Sequence, residues 1–279
     1  MKKILFAFLF SLIALSVDFA ESKGLKVGLL STMNKTPEEF KNQTNDRAQE
    51  NQEQQFWSQE FEISDVKFYD SLAIMQMALE AGEIDAVSLP ESVAEYMMNI
   101  NPKYFVIAIT RTAPNSFTLG FRKDDDPDLR NRINEALNAM KLDGTLAILQ
   151  AKYIDNPDPV DPEPIDFKNF ENSNKKIKVA VTGDLPPIDF VAPDGTPAGF
   201  NTAVLAELGK RLNMNIETVN IDSGARAASL ASGRVDIVFW FHYRKSDGDF
   251  QMDVPEGIVL SEPYYSWNEF LQIAPFSKK

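Results

Sequence analysis

The sequence predicts an α/β fold in two lobes, each an open sheet flanked by helices. Two observations carry this. A run of alternating proline and acid, Asp155-Asn156-Pro157-Asp158-Pro159-Val160-Asp161-Pro162-Glu163-Pro164, interrupts the chain. Proline withdraws the amide donors that a helix interior or central strand needs, so the run reads as an extended, solvated tether. On either side, short apolar strand patterns alternate with segments of helical period. At 279 residues there is room for two ordinary domains.

The amino terminus reads as an export signal, assigned to residues 1–20. Lys2 and Lys3 precede an apolar run from Ile4 to Leu15, too short to span a bilayer as a stable helix. Cleavage fits after Ser16, with Ala14 two positions earlier, or after Ala20. The chain has no cysteine, so neither a disulfide nor a lipidation site is expected. A freely diffusing exported protein without a lipid anchor points to the periplasm of a double-membraned bacterium. The net charge of -13 argues against nucleic acid or an anionic membrane as partner.

The first lobe is expected over residues 25–154. It opens with the strand pattern Leu25-Lys26-Val27-Gly28-Leu29-Leu30. Thr36, Pro37 and Glu39 form a capping-box start for a helix, and the polar region from Lys41 to Gln55 continues it or loops over the surface. Leu72, Met75, Met77, Ala78 and Leu79 have helical spacing within Ser71–Ala81, and Gly82 stops that helix. Ile84 to Leu89 reads as a strand, as does Phe105 to Thr110. Two helices follow, near Pro127–Met140 and Gly144–Tyr153.

The tether is taken as residues 155–175 and the second lobe as 176–279. That lobe begins with the strand Ile177–Val181 and a loop from Thr182 to Pro187. Pro193-Asp194-Gly195 marks a hairpin turn. Asn201 is expected to cap a helix running to about Leu212. A strand near Ile216–Val219, a short helix from Gly224 to Ser232 and a strand from Val235 to Trp240 complete the unit.

The second half resembles the amino-terminal lobe of the extracellular solute-binding proteins of polar amino-acid uptake systems (family 3, type 2 periplasmic-binding fold). The residues that carry this are Asp184-Leu185-Pro186-Pro187, Asp194-Gly195 with Gly199-Phe200-Asn201, Leu230 with Gly233-Arg234-Val235-Asp236, and Ser261-Glu262-Pro263-Tyr264-Tyr265. The first half resembles the family's carboxy-terminal lobe through Lys26-Val27-Gly28 with Ser31, Thr32 and Thr36, and through Leu79 to Val87. Phe121-Arg122-Lys123, Asn134 to Leu137, Asp143-Gly144-Thr145 and Lys152-Tyr153-Ile154 extend that likeness. The lobes therefore stand in reversed order, the pattern of a circular permutation. A tether of about 20 extended residues reaches roughly 60–70 Å, enough to close a monomer, and equally able to serve a lobe-swapped dimer.

The resemblance implies a ligand held between lobes that close about a hinge, with contacts from loops at the carboxyl ends of the strands. In amino-acid binders an arginine grips the carboxylate, an aspartate takes the ammonium and an aromatic ring packs the side chain. Both charge contacts depart here. Arg244 comes about four residues too early for the arginine, and Pro90, with Glu91 beside it, stands at the acidic position. Arg226, at the start of a helix facing the cleft, is a candidate replacement clamp, with a surface ion pair as its competing role.

The other candidate ligand contacts are Ser31, Thr32, Tyr69, Asp70, Glu91, Asp184, Leu185, Trp240 and His242. Thr36 and Asp70 have helix capping as their competing role. Strand alternation sends Trp240 and His242 to one face and Phe241 and Tyr243 to the other. Asp85 and Asp236 end equivalent Gly-x-x-Asp turns and are read as structural. His242 is the single histidine, so no metal site, cofactor or catalytic residue is expected.

The reading is a non-catalytic protein that captures an amino acid or a related carboxylate or aromatic compound for an ABC importer's membrane component. The rival is an enzyme similar to cyclohexadienyl or arogenate dehydratases, with Asp184, Glu91 or Asp70 as acid. A sensing or interaction protein is the third possibility.

Overall fold

The computed structural model describes residues 24–31, 63–157, 165–167, 169–170, 176–192, 194–243 and 254–276. The signal, Thr32, Thr36, the polar region 41–55 and Arg244 lie outside these. Three strands, β1 (Leu25–Leu30), β2 (Ile63–Tyr69) and β3 (Ala86–Pro90), run parallel with β1 in the middle. Strand β12 (Tyr265–Pro275) lies antiparallel on β3, and β4 (Tyr104–Arg122) lies antiparallel on β12. In sequence order the next strand is β5 (Lys176–Val181), which sits between β9 (Asn215–Asn220) and β10 (Ile237–Tyr243), again all parallel. Here β4 lies antiparallel on β10, and β11 (Ile258–Leu260) antiparallel on β4.

The same plan thus occurs twice, as β2-β1-β3-β12-β4 and β9-β5-β10-β4-β11, within one nine-stranded sheet. Helices α1 (Leu72–Glu80) and α2 (Glu91–Ile100) pack on the first half-sheet. Helices α5 (Phe200–Leu212) and α6 (Arg226–Ala231) pack on the second. The parallel strands are covered by helices, so β1, β3 and β5 are apolar almost throughout. A separate small sheet joins β6 (Asp184–Leu185), β7 (Asp189–Val191) and β8 (Pro197–Ala198).

Chain order and sheet membership differ. Helices α3 (Pro127–Leu142) and α4 (Thr145–Gln150) precede the tether yet pack on α5 beyond it. Arg211 of α5 pairs with Asp143 at 2.8 Å and donates to the Thr145 hydroxyl at 2.9 Å. The Thr145 hydroxyl and amide, together with Arg211, hold the Asp143 carboxyl down at about 2. The tether itself is tied down where described. The Phe170 amide donates to Asn215 Oδ1 at 2.7 Å, Asn215 Nδ2 donates back to Phe170 O at 3.1 Å, and Phe167 packs on the core.

Two expectations are corrected. The strand expected over Phe105–Thr110 runs on to Arg122, through Pro114. Proline is tolerated inside a sheet where the ladder is broken, and pairing with β12 slips here: Trp267 faces Asn115, but Glu269 faces Arg111. Nor does Asn201 cap α5; Gly199 holds the N-cap position at φ 89°. A Cβ there would meet Pro187 O at 2.5 Å and Ile188 O at 2.9 Å. The first helix amides are already satisfied, Phe200 N by Pro187 O at 3.1 Å and Asn201 N by Ile188 O at 2.8 Å. The Asn201 side chain turns inward and accepts from the Tyr264 hydroxyl at 2.8 Å.

The Gly-x-x-Asp turns have matching structural jobs, as the sequence suggested. Asp85 Oδ2 accepts from Lys26 N at 2.8 Å, and Asp236 Oδ2 from Lys178 N at 2.9 Å. Arg122 locks the second turn to β4 by donating to Leu230 O and Val235 O at 2.8 and 2.6 Å, and it meets Asp236 at 3.3 Å. Removing this carboxylate leaves the Lys178 amide without its acceptor and takes one of several partners from the Arg122 guanidinium. Asp236→Ala is therefore expected to cost about 1–3 kcal/mol in urea unfolding, with Asp236→Asn recovering part of it. No difference between Asp236→Ala and the wild type would refute this role.

Candidate functional site

The parallel strands of each half-sheet end on one edge, and the candidate residues follow those ends. In the first half Ser31 directly follows the end of β1, Asp70 that of β2 and Glu91 that of β3. The Ser31 hydroxyl donates to Asp70 Oδ1 at 2.8 Å and approaches Tyr69 O at 3.2 Å. Ser71, rather than Asp70, caps α1 by accepting from Ile74 N at 3.3 Å. Asp70 and Ser31 are both exposed, so this pair is open to solvent at the strand ends. Glu91 opens α2 and is exposed, and its charge bears on the nearby Tyr265 and Glu95. Burial, then Glu91 and Asp155, raises the Glu95 carboxyl above its ordinary value.

In the second half the loop after β5 is organised by a carboxylate that sequence reasoning missed. Asp189 is 3% exposed. It accepts from the Thr182 hydroxyl at 2.8 Å, from Thr182 N at 3.1 Å and from Gly183 N at 3.4 Å. These contacts fix the Thr182–Asp184 loop. An acid between Ile188 and Phe190-Val191 was the available signal, since a charge in so apolar a run needs partners. Burial pushes the Asp189 carboxyl up; the Thr182 contacts oppose this, and the charge of Asp184 adds to it.

Arg226, at the first turn of α6, is half-buried. Its Nη1 donates to Phe239 O at 3.0 Å, and its guanidinium lies 5.2 Å from the centre of the Trp240 ring. That geometry is a cation–π contact. Burial lowers the guanidinium's pKa, while Asp184 and Asp189 pull it back up. Asp184, Arg226 and Trp240 are thus electrostatic or ring neighbours, with Asp189 among them. His242 pairs with Ser116 through the β10–β4 ladder, and its side chain lies outside the described residues.

The two halves meet along a line that includes Leu185. Helix α1 packs on β6, and Leu185 and Ile188 share one apolar core with Leu72 and Met75. Tyr96 of α2 lies 6.1 Å from the Phe190 ring, and the Tyr265 hydroxyl is 3.3 Å from Ser92 Oγ. Burial drives the Tyr265 hydroxyl up to about 12. Phe241, rather than Trp240, joins the aromatic cluster at this crossing. Phe117, Phe241 and Trp267 lie within 6.2 Å of one another, and Tyr265 lies 5.4 Å from Trp267. The Ser31–Asp70 pair belongs to the first half-sheet and the Arg226 cluster to the second.

Residues 177–266 span β5 to the start of β12, and hence most of the second half-sheet. That segment matches the bacterial extracellular solute-binding proteins, family 3. The likeness drawn from Asp184 through Tyr265 falls inside this match, and that of residues 26–154 falls outside it. No curated protein matches the chain. Among solved structures, the chain is similar to the zinc-bound ligand-binding component of an ABC-type import system from Staphylococcus aureus. That likeness has 10% identity and a TM-score of 0.41, covering 91% of this chain and 66% of that one. For the methionine-binding protein MetQ the values are 12% and 0.42, covering 91% and 83%. For the alkanesulfonate-binding protein SsuA from Xanthomonas axonopodis pv. citri, bound to MOPS, they are 11% and 0.44, covering 92% and 67%. The chain spans just under two thirds of the length of the S. aureus protein.

Among the described residues no group of three or more His, Cys, Asp or Glu is placed to hold a metal ion, and no helix is long and apolar enough to cross a membrane. The site's means are hydrogen bonds, one stacked guanidinium and aromatic surface. The buried carboxylate gives it a pH signature. A group whose proton is held more tightly in the folded chain than in the unfolded one loses stability as pH rises through that window, which starts near the ordinary 3.8. The stability of wild type relative to Asp189→Asn is expected to fall as pH rises from about 4 to 7, followed by urea midpoints. A difference that stays flat or rises would show that burial does not govern Asp189.

Proposed function

We propose that this chain is an exported solute-binding protein that captures a small ligand in the cleft between its half-sheets and delivers it to an ABC importer. The observation that carries this reading is the duplicated strand plan, in which each set of parallel strands turns its carboxyl ends to one edge of its own half-sheet, the two sets running in opposite senses towards the β4–β12 crossing. Open α/β sheets bind ligands at that edge. The family match over 177–266 supports the class.

The ligand on this reading is an amino acid or a related carboxylate or aromatic compound. Arg226 beside Asp184 supplies the cationic contact, Ser31 and Asp70 the polar contacts of the other half, and the rings around Phe241 the apolar floor. The halves come in reversed order relative to the family. In support, the family segment begins at β5, after a half-sheet already laid down by β1, β2 and β3. Export and a periplasmic location rest on Lys2, Lys3 and the apolar run after them.

A thermal-shift screen of residues 21–279 against amino acids, aromatic acids, small peptides and polyamines tests this. A ligand at 100 times its Kd stabilises the folded state by about 2.7 kcal/mol, and each kcal/mol raises the Tm of a chain this size by roughly 2–4 °C. At least one compound is expected to give such a shift. If it is a carboxylate, Arg226→Ala is expected to weaken it about tenfold to a hundredfold, the worth of one charged hydrogen bond. A folded protein that shifts with nothing in the panel would overturn the proposal.

A further inference from the structure

The crossing of the two halves holds a polar atom with no partner among the described residues. Phe241 of β10, Phe117 of β4 and Tyr265 of β12 stand opposite one another in register. Trp267, two residues on from Tyr265, shares their face. It is 8% exposed, its ring 5.4 Å from those of Phe117, Phe241 and Tyr265. Its indole Nε1–H has no hydrogen-bond partner among the described residues. Indole N–H only donates, and protein interiors pair nearly every buried donor.

Where this donor sits matters. Two other buried side-chain atoms lack a partner among the described residues, Tyr69 Oη at the end of β2 and Asn201 Nδ2 beside Tyr264. Trp267 is the one on a strand that passes between the halves, facing the buried Asn115 on the other such strand. Its neighbour Tyr265 reaches Ser92 of α2 in the opposite half.

We propose that the Trp267 indole N–H is a specificity-determining donor for the ligand of the interlobe cleft. That ligand is then a planar, largely apolar molecule bearing a carboxylate or carbonyl oxygen. The inference rests on the solute-binding reading above and narrows its ligand class. Flat rings at this spacing accept a planar guest by stacking or edge contact, and the indole fixes the guest's oxygen at the floor of the cleft. The rings pack against one another here, so the guest enters as they part.

The test uses benzoate and phenylacetate as probes, with toluene and benzylamine as controls. The chain has three tryptophans, so Trp57→Phe with Trp240→Phe leaves Trp267 as the single indole reporter. Benzoate or phenylacetate is expected to bind by calorimetry and to change Trp267 emission. Trp267→Phe is expected to weaken that binding about tenfold to a hundredfold and to leave any toluene binding unchanged. Equal affinity in wild type and Trp267→Phe overturns the inference. Should Trp267→Phe not fold, benzoate binding without a change in Trp267 emission overturns it as well. If benzylamine or a compound of the wider panel binds while both acids fail, this inference falls and the solute-binding reading stands. If nothing binds, both fall.

Discussion

Two strands that belong to both halves at once constrain everything else in this molecule. Strand β4 starts on β12 in the first half-sheet and ends between β10 and β11 in the second. Strand β12 comes from the far end of the chain, yet fills the place beside β3 that β4 fills beside β10. Each half-sheet therefore borrows a strand from the other side of the tether, and neither can satisfy its backbone hydrogen bonds alone. Unpaired ladder groups in a covered sheet are costly, so the halves are bound to fold together. The apolar core is continuous across them, with Leu72 and Met75 in the same cluster as Leu185 and Ile188.

The same constraint explains what the sequence could and could not say. The short parallel strands were legible because burial on both faces leaves compact apolar runs such as Leu25–Leu30 and Ile177–Val181. The paired Gly-x-x-Asp turns were legible because their glycines sit at φ 74°, a conformation that other residues pay to adopt. The crossing strand was not legible. The strand reading stopped at Thr110, and only pairing with distant residues makes the polar Asn115-Ser116 a strand, Tyr243 and His242 on one side and Trp267 and Ser266 on the other. Asn201 failed for a related reason. A cap side chain is needed only where the first helix amides lack acceptors, and Pro187 and Ile188 carbonyls supply them from a loop that local pattern does not reveal.

The candidate site was legible in its chemistry more than in its wiring. Arg226 and Asp184 stood out by charge and position, but Asp189, which organises the loop between them, did not. Asp184 and Asp189 lie close enough to Arg226 to favour its charged form, while burial disfavours the charge of Asp189 and Arg226 alike. Alternation along β10 correctly separated Trp240 from Phe241, but gave no indication of which would meet the other half.

On the solute-binding reading, charge and apolar surface are distributed unevenly over the proposed cleft. The charged candidates of the first half, Asp70 and Glu91, are exposed at its rim. The floor, where β4 and β12 cross, is aromatic, with Phe117, Phe241, Tyr265 and Trp267 nearly excluded from water. An ammonium carried down to that floor would shed its hydration. A flat apolar body loses nothing there and gains contact with several rings. The departures at Pro90 and Arg244 from the usual amino-acid contacts then belong with the aromatic floor. On the solute-binding reading, both shift the proposed cleft's discrimination away from paired charges and towards shape and a single well-placed oxygen.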